Sequence, residues 1–176
     1  MKAEKVLVLS GYYAWISELV TSGRFSGQQV EPVRRIVRAR TLAILKLLDN
    51  HEKSMLVQFL YDADLIVSQG ERGMSALIAL NGADLRGIDC SQVQMDDLCI
   101  VSAFLNNANF SGSFLYRANF SACDLIQADF SNAILDEVNF LMADLTGANL
   151  RGASLRGATI SDEQLAQAAC IEGIQR

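Results

Sequence analysis

A five-residue repeat that runs from residue 78 to residue 160 constrains the fold of this chain more than any other feature. Every fifth position from Leu80 to Ile160 belongs to one column, and 15 of its 17 members are Leu, Phe or Ile. Two residues before each of these centres lies an inner column, in which 10 of 17 members are Ala. The residue between the two columns is Asp or Asn in 9 of 17 repeats, and no insertion shifts the register.

The period of five excludes the usual regular elements and indicates a solenoid. A helix requires apolar positions spaced near 3.6, and a flat strand requires a spacing of two. Two apolar positions separated by one polar residue, recurring every five, fit a short extended piece followed by a turn. Four such pieces would close one square coil, and successive coils would stack by backbone pairing about 4.8 Å apart.

The repeat resembles that of pentapeptide-repeat proteins, as in Ala83-Asp84-Leu85, Ala108-Asn109-Phe110 and Ala148-Asn149-Leu150. The resemblance implies a mainly β solenoid, namely a right-handed quadrilateral β-helix with four sides per coil. The stretch from Arg38 to Ile66 is similar, more loosely, to a segment that precedes the repeats in cyanobacterial members of the family. Many of those members have a membrane helix further upstream, and this chain departs from that pattern.

The pattern divides the chain into three predicted parts. Residues 1–73 form an α-helical N-terminal domain or cap, residues 74–160 a β-helix of about four coils, and residues 161–176 a helical C-terminal cap. We expect helices at 4–21, from about 31 to 48 and at 51–63, with Gly23 ending the first and a linker at 67–74. Ser161 and Gln164 have the spacing of a capping box where the repeat stops. Caps are expected because an open coil exposes unpaired backbone groups.

Counting in fives also predicts how the interior is filled. If four repeats close a coil, residues 20 apart stack, which places Phe120 over Phe140 and Phe110 over Phe130. The first coil is expected to differ, because bulky residues replace Ala at its inner positions and would widen it or pack against the helices. These residues are Ile78, Ile88, Val93 and Leu98.

Charge and cysteine content limit which partners and which cellular compartment are expected. The formal net charge is −5, with +2 on residues 1–79, −5 on residues 80–160 and −2 on residues 161–176. The weak positive charge of the first part argues against a nucleic-acid-binding arm. The four cysteines form no CxxC and no metal-ligand spacing, which suits a reducing compartment, and we expect a cytoplasmic protein without cofactors. No stretch reaches the roughly 20 apolar residues of a membrane span, so neither membrane attachment nor a signal peptide is expected.

The outward positions predict four unequal faces. The face around Cys90, Phe110, Phe130 and Leu150 is polar, and an apolar patch is expected on the opposite side. Such a patch marks a contact surface, either for the chain's own helices or for a second copy or protein partner. The candidate interaction patch comprises Cys99, Val101, Phe104, Phe114, Tyr116, Ile134, Leu141 and Met142.

These observations favour a non-enzymatic scaffold or protein–protein interaction module, without catalytic, cofactor or metal residues. The alternative is an acidic DNA mimic, because some pentapeptide-repeat proteins are acidic rods that bind DNA gyrase. Four coils span about 20 Å, and duplex DNA of that length carries roughly 12 phosphate charges. Residues 80–160 hold only nine acidic residues, and four arginines offset part of their charge. An enzyme would have to use the adjacent carboxylates Asp96-Asp97 and Asp136-Glu137 as its catalytic acid and base. The two pairs are expected to lie two coils, about 10 Å, apart, which is not usual for such a site. Solvated surface charge is the simpler interpretation of both pairs.

Overall fold

The computed structural model describes residues 2–22, 30–67 and 76–176. It contains helices α1 (Lys2–Thr21), α2 (Val30–Leu45), α3 (Asn50–Asp62) and α4 (Asp162–Gln167). Between α3 and α4 the chain forms a β-helix in which each strand is reduced to a single bridging residue. The expected helix end at Gly23 and, apart from Val67, the predicted linker lie outside the described residues.

The β-helix has the predicted register of 20 residues per coil. Parallel bridges join residues 20 apart from the pair Asp84–Phe104 to the pair Asn139–Thr159. We name the sides of the square A, B, C and D, starting from the successive centres Leu85, Cys90, Met95 and Ile100; Leu80, 20 residues before Ile100, also belongs to side D. The two residues after each centre form a corner, and the second of them has a φ between 52° and 74°. Glycine suits this left-handed conformation, yet ten other residue positions also adopt it.

Four phenylalanines form the centre of the core, and all are fully buried. Phe110 stacks on Phe130 with ring centroids 5.2 Å apart, and Phe120 stacks on Phe140 at 5.9 Å. Edge-to-face contacts of 5.3 to 5.9 Å connect the two stacks. The predicted stacking is confirmed, and the two columns additionally merge into one aromatic cluster.

Helix α3 lies against the first coil and is joined to its sides A and B and to the corner between sides C and D. The Ser54 hydroxyl accepts a hydrogen bond from the Asp89 amide at 2.9 Å, and the Tyr61 hydroxyl donates to the Asp96 carbonyl at 3.2 Å. Lys53, which is almost fully buried, places its Nζ 3.6 Å from an oxygen of Asp84. These contacts fix the helical part on the coil at both ends of α3.

The first coil and the helices share a single hydrophobic core. The bulky inner residues Ile78, Ile88 and Leu98 are fully buried in the same cluster as Leu56 and Leu60 of α3. An Ala at these positions would leave space beneath the helix. The expected packing of the first coil against the helices is therefore confirmed.

The C-terminal part corrects the prediction that the repeat stops after Ile160. Helix α4 begins with the predicted capping box of Ser161 and Gln164. Beyond it, Cys170 and Gln175 form parallel bridges 21 residues after their partners Asn149 and Ser154. Helix α4 with its flanks thus replaces one side of the last coil and uses one residue more than a repeat does. The pattern of fives misses this return because the register has shifted by one.

Ser161→Ala is expected to lower the free energy of unfolding by about 0.5–2 kcal/mol, since it removes an N-cap acceptor. The change leaves the Gln164 backbone amide without its acceptor, whereas the Gln164 side-chain amide can still donate to the Phe140 and Ala143 carbonyls at 2.7 and 2.8 Å. Amide exchange at Gly147, which donates to the Gln167 carbonyl, should accelerate locally. Equal exchange in the variant and the wild type would show that the cap does not hold α4.

Candidate interaction surfaces

The structure removes Cys99 from the candidate patch. Its side chain is only 5% exposed, and its amide donates to the Ile66 carbonyl at 2.7 Å. The segment after α3 covers this part of side D, with Val67 bridged to Leu98. Sequence spacing correctly placed Cys99 at an outward position but could not show that another segment lies upon it.

The other seven patch residues retain some exposure. Val101, Tyr116 and Ile134 are half-buried. The other four of these seven are more exposed, namely Phe104 at 48%, Phe114 at 54%, Leu141 at 56% and Met142 at 80%. The described helices leave these four uncovered, which argues against the alternative that the chain's own helices bury the patch.

The exposed residues divide between two sides of the coil and form no single patch. Phe104 lies on side A, and Leu141 and Met142 lie at the corner between sides D and A. Phe114 and Ile134 lie on side C, opposite side A. Side D between them bears the outward residues Asn119, Asn139 and Thr159. We expected the apolar patch to lie on side D, opposite the polar side B. That expectation is wrong for the middle of the patch, because Leu141 and Met142 lie at the corner between sides D and A.

Side A combines its apolar residues with two carboxylates. We define the side A surface as Phe104, Asp124, Leu141, Met142 and Asp144. Phe104 is bridged to Asp124, and Asp124 to Asp144, so the three follow one another along one column. Leu141, Met142 and Asp144 also line a cleft of about 460 Å³ beside α4. This surface offers apolar contact area and negative charge within a few ångströms.

The two carboxylates of the side A surface accept hydrogen bonds but have no ion-pair partner among the described residues. Asp124 accepts from the Asn106 side chain at 2.7 Å and from the Ile126 amide at 3.3 Å. Asp144 accepts from the Thr146 amide at 2.9 Å, and hydrogen bonding from the Thr146 side chain and backbone lowers the pKa of Asp144. The lowered pKa keeps the Asp144 carboxylate anionic at neutral pH.

Asp84, on the first coil of side A, differs from these two carboxylates. The Arg86 guanidinium lies 2.8 Å from it, and hydrogen bonding from Arg86 holds the pKa of Asp84 well below its usual range. Lys53 neutralises it further at 3.6 Å. The free negative charge of side A therefore lies on its later coils.

Comparison with known proteins identifies the repeat. The pentapeptide-repeat family model matches residues 78–112, 115–152 and 143–168, about half of the chain. The chain belongs to the pentapeptide-repeat family. No curated protein sequence matches it.

Solved structures of similar proteins include three of note. A pentapeptide-repeat protein from the thylakoid lumen of Arabidopsis thaliana is 33% identical over 52% of this chain and 59% of its own, with a TM-score of 0.44. The alr5209 protein of Nostoc PCC 7120 is 26% identical over 69% and 93%, with a TM-score of 0.33. The fluoroquinolone resistance protein QnrB1 is 18% identical over 56% and 55%, with a TM-score of 0.34. The match thus spans little more than half the length of the first and third of these proteins.

The two acidic pairs of this pentapeptide-repeat protein lie on the corner between sides C and D, with Tyr116 and Arg117 between them. Arg117 Nη2 lies 2.6 Å from Asp97 Oδ2, and the Tyr116 amide donates to Asp96 at 3.1 Å. The Tyr116 hydroxyl donates to Glu137 at 2.9 Å, which raises the pKa of Tyr116. Along this corner the acidic side chains are bound by Arg117 and Tyr116, which lie between them. The two acidic pairs therefore do not come together as a catalytic acid–base pair.

Other site types find no support in the part of the chain that the structure describes. No group of three His, Cys, Asp or Glu residues there could hold a metal ion. No described helix has both the length and the apolar character needed to cross a bilayer. Burial raises the pKa of the Cys90 and Cys123 thiols to about 12, so neither thiol is a ready nucleophile.

The helical part presents apolar side chains that the sequence interpretation missed. Leu7 of α1 is 76% exposed, and Val6, Ile36 and Met55 are also exposed. The sequence did indicate this exposure. Val6, Leu7, Val8 and Leu9 are consecutive, so in a helix they point in different directions and cannot all face one core.

Proposed function

We propose that this pentapeptide-repeat protein is a non-enzymatic scaffold, which binds a protein partner or a second copy through exposed apolar residues of its β-helix. One observation supports this most directly. Phe104, Phe114, Leu141 and Met142 stay 48–80% exposed at positions that are mostly polar in the other repeats. Exposed apolar groups of this size on a rigid, backbone-paired support are typical of contact surfaces.

We further propose the finer features of the architecture and compartment. The coil is right-handed, as the family resemblance implies, and α4 with the two sides after it caps the C-terminal end. A reducing, cytoplasmic compartment suits the four cysteines, of which Cys90, Cys99 and Cys123 are buried.

An acidic DNA mimic acting on gyrase is the alternative function. The outward column of side B reads Asp89, Asn109, Asp129, Asn149, so its carboxylates are two coils, about 10 Å, apart. Phosphates along one DNA strand repeat at about 3.4 Å of helix axis. The spacing favours the scaffold, and a supercoiling assay with purified gyrase distinguishes the two. Inhibition or quinolone protection at micromolar protein would support the mimic.

The double variant L141S/M142S and the single variant F114S test the proposed scaffold. Wild-type protein should capture a defined partner from cells, or self-associate by light scattering after size-exclusion chromatography. At least one of the two variants should lose that binding, because each replaces apolar contact area by hydroxyl groups. The matched control is S131A/N132G, at the equivalent corner between sides B and C, and it should bind as the wild type does. Unchanged capture and assembly in both apolar variants would contradict the proposal.

A further inference from the structure

Cations are almost absent from the central coils. Between Arg86 and Arg151 the chain has one Lys or Arg, Arg117, but eight Asp or Glu. Arg117 lies on the corner between sides C and D, away from side A, and is paired with Asp97. Side A has no Lys or Arg on its later coils, and Arg86, the cation whose charge reaches Asp124, is already paired with Asp84.

Most acidic residues of the β-helix have a neutral or cationic neighbour on the next coil. On side B, Asn149 lies next to Asp129 and donates to it at 3.0 Å. On the corner between sides C and D, Arg117 lies next to Asp97. Asp124 and Asp144 depart from this rule, since they are bridged directly to each other and neither has a described ion-pair partner.

Two carboxylates on adjacent coils repel each other, because directly opposite like charges destabilise a sheet. The hydrogen-bond donors to Asp124 and Asp144 are neutral, namely the Asn106 side chain, the Ile126 amide, and the amide and side chain of Thr146. A single Lys or Arg between the two carboxylates would be attracted by both. Phe104 above them and Leu141 and Met142 beside them provide apolar contact for a neighbouring side chain.

The β-helix of a second copy offers no matching cation, because its arginines are engaged with acids of their own chain, namely Arg86 with Asp84, Arg117 with Asp97, Arg151 with Glu172, Arg156 with Asp136 and Arg176 with Asp162. Exposed cations of the helical part, such as Arg35 and Lys46, make self-association through side A an alternative outcome, which light scattering of the wild type and of D124N/D144N would reveal. Nucleic acid and anionic lipid carry the same sign as side A and would be repelled. The complementary occupant is a protein segment with both cationic and apolar side chains.

We infer that the side A surface binds a cationic amphipathic segment of a partner protein. Apolar residues of the segment lie on Phe104 and against Leu141 and Met142, with Lys or Arg placed between Asp124 and Asp144. This inference rests on the proposed scaffold function and names the chemistry of its partner.

Fluorescence anisotropy of the full chain with a labelled peptide tests the inference. The probe is a 14-residue peptide of Leu and Lys at helical spacing, and its counterpart has Glu in place of every Lys. The Lys peptide should bind, and binding should weaken as sodium chloride rises from 50 to 300 mM. D124N/D144N and L141S/M142S should each weaken it at least tenfold. D129N, the same change at the equivalent position of side B, should leave it unchanged.

Urea unfolding of D124N/D144N separates a loss of binding from a loss of folding, since each Asn keeps a carbonyl oxygen that can accept the hydrogen bonds made to Oδ1 in the wild type. The inference is overturned by no binding of the Lys peptide, by equal binding of the Glu peptide, or by an equal effect of D129N. Undiminished binding by D124N/D144N would also overturn it. If L141S/M142S loses its cellular partner or self-association while the Lys peptide does not bind, the scaffold function stands and only the partner chemistry is wrong.

Discussion

Replacing Phe130 by alanine is expected to lower the free energy of unfolding by about 3–5 kcal/mol. Its ring is fully buried and contacts three others, stacking on Phe110 and meeting Phe120 and Phe140 edge-on. The loss should lie near the upper end of the range, because the surrounding backbone is bonded coil to coil and cannot collapse into the cavity. Urea unfolding followed by circular dichroism measures it.

Phe114→Ala is the matched control for this prediction. Phe114 belongs to the same β-helix but is 54% exposed on side C. Its removal should change the free energy of unfolding by about 0.5 kcal/mol or less. Equal losses in the two variants would contradict the view that the aromatic cluster stabilises the coil.

Alkaline pH is expected to destabilise the protein strongly, and Cys123→Ala should reduce this sensitivity. Burial raises the pKa of the Cys123 thiol from about 9 to about 12. Between these pH values the unfolded thiol loses its proton while the folded thiol keeps it, so stability is complete below pH 9 and falls as pH rises. Each such thiol contributes about 1.4 kcal/mol per pH unit to that slope. Cys90 acts in the same direction.

Cys123→Ala should fit the coil, because Ala already occupies ten other inner positions. Urea unfolding at pH 8, 9 and 10 under reducing conditions should give a slope shallower by about 1.4 kcal/mol per pH unit above pH 9. Ser113→Ala, at another buried inner position, removes a hydrogen bond to the Cys90 carbonyl and should lower stability without changing the slope. Identical slopes in Cys123→Ala and the wild type would contradict the prediction.

Much of the β-helix could be predicted because its repeating structure is set by residues that lie close together in the sequence. The inward pair of small and large residues recurs every five positions, and the bridges at intervals of 20 match the coil derived from that count. The ring stacks followed from the same arithmetic. The capping box of Ser161 and Gln164 was also readable, since its partners are three residues apart.

The candidate surfaces could be predicted only in part. Counting identified Phe104, Phe114, Leu141 and Met142 as outward residues, and all four are exposed. It merged them into one patch because residues after a centre were assigned to a side, whereas the chain turns a corner there. It also overlooked the Asp124–Asp144 pair, whose significance depends on which charges are absent from the neighbouring coils.

The sequence by itself determined the repeat, its period and the inward-facing residues, because each depends on neighbours within five positions and on a regular stack. Only the tertiary structure decided what lies on the stack. The segment after α3 covers Cys99, α3 closes the first coil, and the chain returns beyond α4 with its register shifted by one. These features depend on contacts between distant segments, which no period encodes. The described segments leave the later coils of side A uncovered, with two stacked carboxylates beside apolar side chains.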